Sequence, residues 1–336
     1  MWKQKPRIGL LGNFRPLTPG TDINETNSST VIAQMSEGER EGVSGRTLEK
    51  TMLKANRWIW KRLPIRIREL RSVQAYGRWL HVLTCRNANR EMYVGTLFLR
   101  NRPALELMRS LTVKGQGSTM KVAILGCSVG VEVYSILWTL RRDRPDLKIA
   151  VDAVDISPEV LAIAEEGVYG PQTSEMVSAS IFQRLTEAER REMFDWEGQQ
   201  ARVKPWLREG VAWRLGDASD PRLVEELGLA DFVVANNFLC HMDASGAERC
   251  LRNLAGLAKP GSYLFVSGVD LDVRSKVALD LAWEPVVELL PEIHDGDPLV
   301  RADWPCEWWG LEPLDRTRPD WQTRYASVFR VSEAPR

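Results

Sequence analysis

From residue 118 onward, short apolar runs alternate with stretches of helical periodicity, and this alternation constrains the fold more than any other feature. Strand-like runs are KVAILG, IAVDAVD, DFVVANN and SYLFVSG, and helix-like runs include VEVYSILWTLRR and SPEVLAIAEEG. Strands that are apolar throughout are typical of parallel sheets covered by helices on both faces. The pattern therefore predicts an α/β protein with a doubly wound, mostly parallel sheet.

The remaining segments predict a division into three parts. Residues 1–44 are rich in Gly, Pro, Ser, Thr and Asn without periodicity, which predicts a flexible arm. Residues 45–113 have helical spacing and predict a basic helical domain, which the linker KGQGST joins to an α/β domain over 118–334. Residues 168–213 break the strand–helix alternation and predict an insertion over one edge of the sheet. The alternating TRYASVFRV (323–331) predicts a last strand.

Charge is distributed unevenly although the formal net charge is zero. Residues 1–120 hold 21 Lys and Arg against 9 Asp and Glu, and much of the excess lies in KANRWIWKRLPIRIRELR (54–71). Such a stretch is either a solvated helical face or a docking surface for an acidic partner or substrate. Nucleic acid is disfavoured as a partner because the chain contains no recognition motif.

Composition narrows the class of protein further. Hydrophobic residues make up 44% of the chain, which is enough for a large core. No run approaches the roughly 18 apolar residues of a membrane helix, so no membrane partner is predicted, and the first residues lack a signal-peptide pattern. The five cysteines show no paired spacing, so we expect neither a metal site nor disulfides, and a cytoplasmic location.

The turn ILGCSVG follows the first predicted strand and leads into a helix. Its glycines, Gly126 and Gly130, are four positions apart, whereas the dinucleotide fingerprint G-x-G-x-x-G has its first two glycines two apart, so that a pyrophosphate can approach the backbone. This spacing disfavours a pyrophosphate, and with it a nicotinamide dehydrogenase. The amides of a helix N-terminus still suit a small carboxylate.

Two acidic residues lie near the same edge of the predicted sheet, where ligands of open α/β proteins bind. Asp155 ends the second strand and can accept hydrogen bonds from both hydroxyls of a ribose, and Glu132 in the first helical turn can accept from an ammonium group. A ligand with a ribose, an amine and no phosphate is S-adenosylmethionine. The alternative is that the glycines only permit a tight turn, and Glu132 and Asp155 together argue against it.

Roughly residues 90–270 resemble the chemoreceptor glutamate methyltransferase (CheR-type) family. The similar segments are TLFLRNRPALELM, ILGCSVGVEVYSI and VDAVDISPEVLAIAEEGVY. They resemble the family's T-x-F-F-R segment, its G-x-S-x-G-E-E-x-Y-S-like loop, and its D-I-S strand end followed by A-x-x-G-x-Y. The resemblance implies a Rossmann-like class I methyltransferase with a seven-stranded sheet, an N-terminal helical domain that helps engage substrate, and a small antiparallel subdomain inserted near residues 182–213.

The resemblance also implies which residues form the site. Arg100 matches the arginine that reaches the methyl-transfer site, and Asp217 matches a position near the adenine. The residues expected at the cofactor are Gly126, Cys127, Ser128, Gly130, Glu132, Asp155, Ile156, Asp217, Ala218, Asn236 and Asn237.

The acceptor side departs from the family pattern C-R-N-V-x-I-Y-F, because this chain has ANNFLCHM (235–242). Asn236 replaces the arginine and His241 replaces the tyrosine near the reacting centre, and GVDL (268–271) replaces the loop G-x-S-E. A carboxylate acceptor needs no base, whereas a hydroxyl must lose a proton, and histidine titrates near neutral pH. His241 is therefore either the base for a hydroxyl-bearing acceptor or a structural histidine.

The sequence thus predicts an S-adenosylmethionine-dependent methyltransferase that O-methylates a small-molecule or other non-chemoreceptor acceptor, with Arg100 and His241 facing it. Two alternatives remain, a protein-glutamate methyltransferase and a cofactor-binding module without catalysis. The tryptophans of ADWPCEWWGLEPLDRTRPDW (302–321) form either a core layer or an aromatic wall for a flat acceptor. His294 is predicted at the surface and His81 in helix packing.

Overall fold

The computed structural model describes residues 50–90, 95–112, 119–171, 180–296, 303–308 and 310–332. The predicted arm over 1–44, most of the linker KGQGST and Trp309 therefore lie outside the described residues. The chain divides into two compact units, 1–54 and 55–336. Residues 50–54 of the first unit are helical. The predicted three-part division stays a prediction.

The second unit begins with helices. Residues 55–62 (α1) end before Pro64, as the helix-breaking effect of proline predicts. The helices that follow are α2 (Ile65–Arg68), α3 (Arg71–Arg86) and α4 (Arg102–Leu111). Asn101 caps α4 by accepting a hydrogen bond from the amide of Ala104.

The strand–helix alternation follows from residue 120. Its elements are β1 (Met120–Leu125), α5 (Val131–Arg141), β2 (Ile149–Asp155), α6 (Pro158–Glu166), β3 (Val168–Tyr169), α7 (Glu187–Met193), β4 (Phe194–Glu197), β5 (Gln200–Val203), α8 (Pro205–Arg208), β6 (Val211–Leu215), α9 (Pro221–Leu227), β7 (Ala230–Asn236), α10 (Ala244–Ala255), β8 (Ala258–Ser267), α11 (Leu271–Asp280), β9 (Glu284–Pro285), α12 (Leu290–His294), α13 (Trp321–Tyr325) and β10 (Val328–Arg330). A 3-10 turn, Leu239–His241, follows β7.

Seven strands form the large sheet in the order β6-β2-β1-β7-β8-β10-β9. Strands β6, β2, β1, β7 and β8 are parallel, and β10 is antiparallel to β8 and β9. The predicted doubly wound, mostly parallel, seven-stranded sheet is confirmed. Strand order reverses between β1 and β7, and in such sheets the crevice at that point is where ligands bind.

Hydrophobic cores cover both faces of this sheet. Val122 and Ile124 of β1 belong to one buried cluster, and Ala123 and Leu125 belong to the other, because successive side chains of a strand point to opposite faces. All four side chains are fully buried. This two-sided burial explains why residues 122–125 of β1 are all apolar.

The insertion forms a small antiparallel sheet in the order β3-β5-β4. Phe98, which precedes α4, packs against this region, with its ring centroid 5.5 Å from Tyr169 and 5.0 Å from Phe194. The predicted insertion over 168–213 includes the start of Val211–Leu215, but that segment is the edge strand β6 of the large sheet, parallel to β2. The insertion therefore ends before this strand.

The C-terminal segment differs in part from the prediction. TRYASVFRV was expected to be one strand, but α13 occupies its first residues and only Val328–Arg330 is extended. Tyr325 is buried, and its hydroxyl donates to the Glu312 carboxylate at 2.9 Å, which satisfies the buried polar group. No helix among the described residues is long and apolar enough to span a bilayer.

Candidate active site

A cavity of about 1440 Å³ lies at the carboxyl ends of β1, β2, β7 and β8. Ligand pockets usually measure about 300–1,000 Å³, so this cavity has room for two reactants side by side. Every predicted site residue except Gly130 lines it. These residues are Arg100, Gly126, Cys127, Ser128, Glu132, Asp155, Ile156, Asp217, Ala218, Asn236, Asn237 and His241.

Asp155 is held by the turn that follows β1. Its Oδ2 accepts from the amide of Ser128 at 2.7 Å, and its Oδ1 accepts from the amide of Ser157 at 3.1 Å. Ser128 reaches this position with a φ of 49°. Each carboxylate oxygen keeps a second acceptor direction, so the group is fixed in orientation and can still accept from hydroxyls in the cavity.

Glu132 lies in the first turn of α5 and forms a chain of hydrogen bonds with two strand ends. Its Oε1 accepts from the Asn236 side-chain amide at 2.8 Å, and the Asn236 oxygen accepts from the Ser267 hydroxyl at 2.8 Å. Burial raises the pKa of the Glu132 carboxyl, while the Asn236 amide and the positive charge of Arg100 oppose that rise. Ser267 was not predicted, because its contact depends on the pairing of β7 with β8.

Close backbone approaches shape the floor of the cavity. A side chain at Gly126, where φ is 67°, would lie 2.8 Å from the Phe238 ring. A side chain at Gly268 would lie 2.6 Å from the Cα of Asn237. The turns after β1, β7 and β8 therefore contact one another where only hydrogen fits.

Gly130 packs against neighbouring elements, unlike the other predicted site residues, which line the cavity. It begins α5 with a φ of 81°, and a Cβ there would lie 2.9 Å from that of Ala164 and 3.0 Å from the Trp213 ring. It is not among the residues that line the cavity. Its surroundings assign it a packing role between α5, α6 and β6.

Ile156, Asp217 and Ala218 contribute both apolar and polar groups to the cavity lining. Ile156 is 55% exposed although it follows a buried strand, and it lies next to the Asp155 carboxylate. Asp217 accepts at Oδ1 from the amide and the hydroxyl of Ser219, at 2.8 and 2.7 Å, and Ala218 follows it. An apolar surface beside fixed acceptors suits a flat heterocycle with ring nitrogens and an amine.

Arg100 and His241 line the same cavity as Glu132. Burial raises the pKa of the Cys240 thiol to about 11, and the Arg100 guanidinium opposes that shift. His241 ends the 3-10 turn after β7, and its ring lies edge-on to Trp308 at 5.9 Å. The structure thus brings the two predicted acceptor residues into one cavity with Glu132.

The C-terminal tryptophans fall into two groups. Trp308 lines the cavity, which fits the predicted aromatic wall. Trp304 packs edge-on against Trp60 at 5.3 Å, and Trp321 lies 5.6 Å below the Arg316 guanidinium. Neither is among the residues that line the cavity.

Two histidines complete the comparison with the sequence. His294 was expected at the surface, which is wrong, because it is 3% exposed and its Nε2 lies 3.0 Å from the carbonyl oxygen of Glu312. α12 packs beneath the C-terminal segment, which covers a turn that looked polar in sequence. His81 lies in α3, with Nδ1 3.4 Å from the Pro305 carbonyl oxygen, and burial lowers its pKa.

Several residues of the acceptor side were missed by the sequence reasoning. They come from the residues after α3, the start of α11, the segment before α13 and α13 itself, and include Arg90, Asp270, Asp272, Glu312 and Arg324. Only Asp270 carried a signal, because it lies in the GVDL loop that departs from the family pattern. The others are brought together by long-range packing.

The donor set fits S-adenosylmethionine. Glu132 is a largely buried carboxylate at the cavity wall, which suits an ammonium group, and Asp155 is fixed with acceptor directions left for a ribose. Ile156 is an exposed apolar side chain beside Asp155, which suits a heterocycle such as adenine. No phosphate-binding arrangement is needed for such a ligand, in agreement with the glycine spacing.

Comparison with known proteins agrees with this fit. The model of the family described as "CheR methyltransferase, SAM binding domain" matches residues 95–274. The probable biofilm formation methyltransferase WspC of Pseudomonas putida is 28% identical over 161 residues, which are 48% of this chain and 36% of that protein. Chemotaxis protein methyltransferase 1 of Pseudomonas aeruginosa is 26% identical over 220 residues, 60% of this chain and 77% of that protein.

The chain thus spans little more than a third of the length of the WspC relatives it matches. Among solved structures, an O-methyltransferase family protein from Burkholderia thailandensis is 17% identical, covers 87% of this chain and 72% of its own, and has a TM-score of 0.34. A TM-score this low adds nothing to the topology described above.

The family match covers more than half of the chain and includes β1, β2, β7 and β8, whose ends form the cavity. It confirms the predicted enzyme class and the predicted cofactor, S-adenosylmethionine. The chain belongs to the CheR methyltransferase family, and residues 95–274 are its S-adenosylmethionine-binding domain.

Proposed function

We propose that this protein methylates the hydroxyl oxygen of a small-molecule acceptor bound beside S-adenosylmethionine. The observation that carries the proposal is that His241 and Trp308, which contact each other, line the same cavity as Glu132 and Asp155. A hydroxyl acceptor needs a base, which the His241 imidazole can supply. A flat acceptor needs an aromatic surface, which the Trp308 ring can supply.

Each residue then has a defined task. Glu132 binds the ammonium group of the cofactor, and Asp155 accepts from its ribose hydroxyls, while Ile156 packs beside the adenine. When bound, S-adenosylmethionine supplies an electrophilic methyl group on a sulfonium. Methyl transfer is an in-line displacement, so the remaining task of the protein is to align the acceptor and exclude water.

His241 accepts the proton that the acceptor hydroxyl loses, and Arg100 stabilises negative charge that develops on the oxygen. A base of this kind contributes roughly 10²–10⁴ in rate. Trp308 orients the acceptor by contact with its flat face. S-adenosylhomocysteine, a methylated oxygen and one proton are the products.

The second candidate is a protein-glutamate O-methyltransferase. It is favoured by the similarity to chemotaxis protein methyltransferase 1, because the match covers most of that protein. A glutamate carboxylate is already ionised at neutral pH, so His241 would not be needed as a base.

The test measures transfer of tritium from S-adenosyl-[methyl-³H]methionine to a panel of phenols and hydroxy acids, and to glutamate-rich helical peptides. We expect incorporation into hydroxyl compounds as alkali-stable methyl ethers. His241→Asn should lower that turnover about 100-fold or more, and the affinity for S-adenosylhomocysteine should stay unchanged.

Arg249→Gln is the matched control. Arg249 is exposed and lies on α10, the helix that follows the 3-10 turn of His241. Its turnover should equal that of the unchanged chain. Alkali-labile methyl esters on the peptides, formed equally well by the His241→Asn variant, would instead establish the second candidate.

A further inference from the structure

We propose that Arg90 is a positioning residue that fixes His241 and Trp308 on the acceptor side of the cavity. Arg90 lies just after α3, outside every motif recognised in the sequence, and its side chain is only 17% exposed. The effect of this positioning on catalysis rests on the proposed function. The contacts of Arg90 and the experiment that tests them do not depend on it.

The first set of contacts holds the turn that carries His241. One guanidinium nitrogen of Arg90, Nη1, donates to the carbonyl oxygen of Cys240 at 3.0 Å and to that of Met242 at 3.1 Å. These carbonyls belong to the two residues that flank His241. The Cys240 carbonyl belongs to the peptide group that precedes His241, and the Met242 carbonyl belongs to the peptide group that follows Met242. Because one donor holds the backbone on both sides of His241, the direction of its side chain depends on where Arg90 lies.

The second set of contacts fixes Arg90 itself. Its Nη2 donates to Oδ2 of Asp270 at 2.8 Å and lies 3.4 Å from the carbonyl oxygen of Cys85. Asp270 precedes α11 and Cys85 lies near the end of α3. Arg90 therefore connects the helical N-terminal part to two loops of the large sheet.

The third contact places the aromatic side chain. The Arg90 guanidinium carbon lies 5.5 Å from the centroid of the Trp308 ring, within the range of a cation–π interaction. His241 contacts the same ring at 5.9 Å. Arg90 thus positions His241 through the backbone on one side and through Trp308 on the other.

These contacts require an arginine. A planar guanidinium donates in several fixed directions at once, and it stacks on aromatic rings. A lysine ammonium in the same place can keep the ion pair with Asp270, but it cannot hold two carbonyls and the ring together. Charge alone is therefore insufficient for the positioning role.

The chain contains only three histidines, which makes the position of His241 directly measurable. We would label histidine with ¹³C and assign the ring ¹³Cε1–¹H signals of His81, His241 and His294 with single His→Asn variants. Arg90→Met and Arg90→Lys would then be compared with the unchanged 336-residue chain. Isothermal titration with S-adenosylhomocysteine would report on the cofactor side in the same samples.

Both Arg90 variants should move the His241 signal by more than its linewidth and leave the His294 signal in place. Amide exchange of His241 and Met242, whose amides donate to Phe238 and Leu239 within the turn, should become about tenfold faster. The affinity for S-adenosylhomocysteine should stay the same. Arg249→Met, which removes an exposed arginine from the next helix, should change none of these quantities.

An unchanged His241 signal in a folded Arg90→Met protein would overturn the proposal, and so would full restoration of that signal by lysine. The result is distinguishable from a failure of the proposed function. If Arg90 variants displace His241 but His241→Asn retains full turnover, the positioning is real and the base assignment is wrong.

Discussion

Glu132 is the residue whose ionisation should control cofactor binding. Burial raises the pKa of its carboxyl, and the Asn236 amide and the Arg100 charge oppose the rise. Only the ionised carboxylate attracts an ammonium group, so affinity falls as the pH drops through this pKa. Asn236→Leu removes a hydrogen-bond donor to the ionised carboxylate, so the pKa of Glu132 rises further. The acid limb, the pH range over which affinity falls on acidification, should therefore shift to higher pH by about one unit.

Isothermal titration with S-adenosylhomocysteine between about pH 5 and 8 measures this limb. Ser267→Ala is the graded control, because Ser267 contacts Asn236 and only orients it. It should move the limb in the same direction by less. An acid limb that stays in place in Asn236→Leu would show that Asn236 does not tune Glu132.

At the level of single residues, the sequence predicted the two carboxylates but did not predict the hydrogen bonds that hold Glu132. Glu132 and Asp155 were predicted because each follows an apolar strand or a glycine turn, which are local patterns. The link from Ser267 through Asn236 to Glu132 depends on the register in which Asn236 pairs with Ser267, and β7 and β8 are separated by a helix. Sequence patterns within one strand carry no information about that register.

Gly130 begins α5, the helix whose first turn carries Glu132. Its φ of 81° is unfavourable for other residues, and a Cβ would contact Ala164 at 2.9 Å and Trp213 at 3.0 Å. Gly130→Ala should therefore lower the free energy of unfolding by about 2–4 kcal/mol, from left-handed strain plus overpacking. Urea unfolding followed by tryptophan fluorescence measures the change.

Gly198→Ala separates the two contributions. Gly198 has a φ of 62°, but nothing lies within 4 Å of a Cβ placed there. It should cost only the backbone strain, about 1–2 kcal/mol. Equal losses in the two variants would contradict the packing role of Gly130.

Elements were predicted best where burial is two-sided. Strands β1, β2 and β7 are mostly apolar and were placed correctly. Strand β6 at the sheet edge is partly exposed, and its first residues were assigned to the insertion. The prediction of a last strand over TRYASVFRV was correct only for Val328–Arg330. Its first residues belong to a turn of helix that the Glu312–Tyr325 hydrogen bond stabilises. That bond joins residues of different segments, and a periodicity cannot reveal it.

At the scale of the whole molecule, the acceptor side of the cavity is built from segments more than 200 residues apart, such as α3 and the stretch containing Trp308. No local pattern brings His81, Arg90 and Trp308 together. The cofactor side comes from consecutive strand ends of one sheet, whose topology is itself predictable. This difference explains why the sequence identified the cofactor and left the acceptor open.

The inserted subdomain is tied to the rest of the fold by an ion pair that gives stability its pH dependence. Arg102 of α4 donates to both carboxylate oxygens of Glu189 in α7, at 2.6 and 2.7 Å. The Arg102 hydrogen bonds lower the pKa of Glu189 from 4.5 to about 2. A carboxyl with a lowered folded pKa stabilises the fold above its unfolded pKa, and that stabilisation is lost as the pH falls from about 4.5 towards 2.

Glu189→Gln should therefore lower the free energy of unfolding at pH 7 by about 1 kcal/mol, because Arg102 is partly exposed and solvent screens the pair. The difference between variant and unchanged protein should shrink as the pH falls below 4.5, where Glu189 of the unfolded chain becomes protonated. Urea unfolding at a series of pH values measures this difference in the free energy of unfolding.

Glu187→Gln is the control. Glu187 lies on the same helix with an exposed Arg191 partner at 3.4 Å, and its replacement should lower the free energy of unfolding by only about 0.3 kcal/mol. A Glu189→Gln loss that is independent of pH would mean that the capping contact with Thr186, and not the ion pair with Arg102, holds the insertion in place.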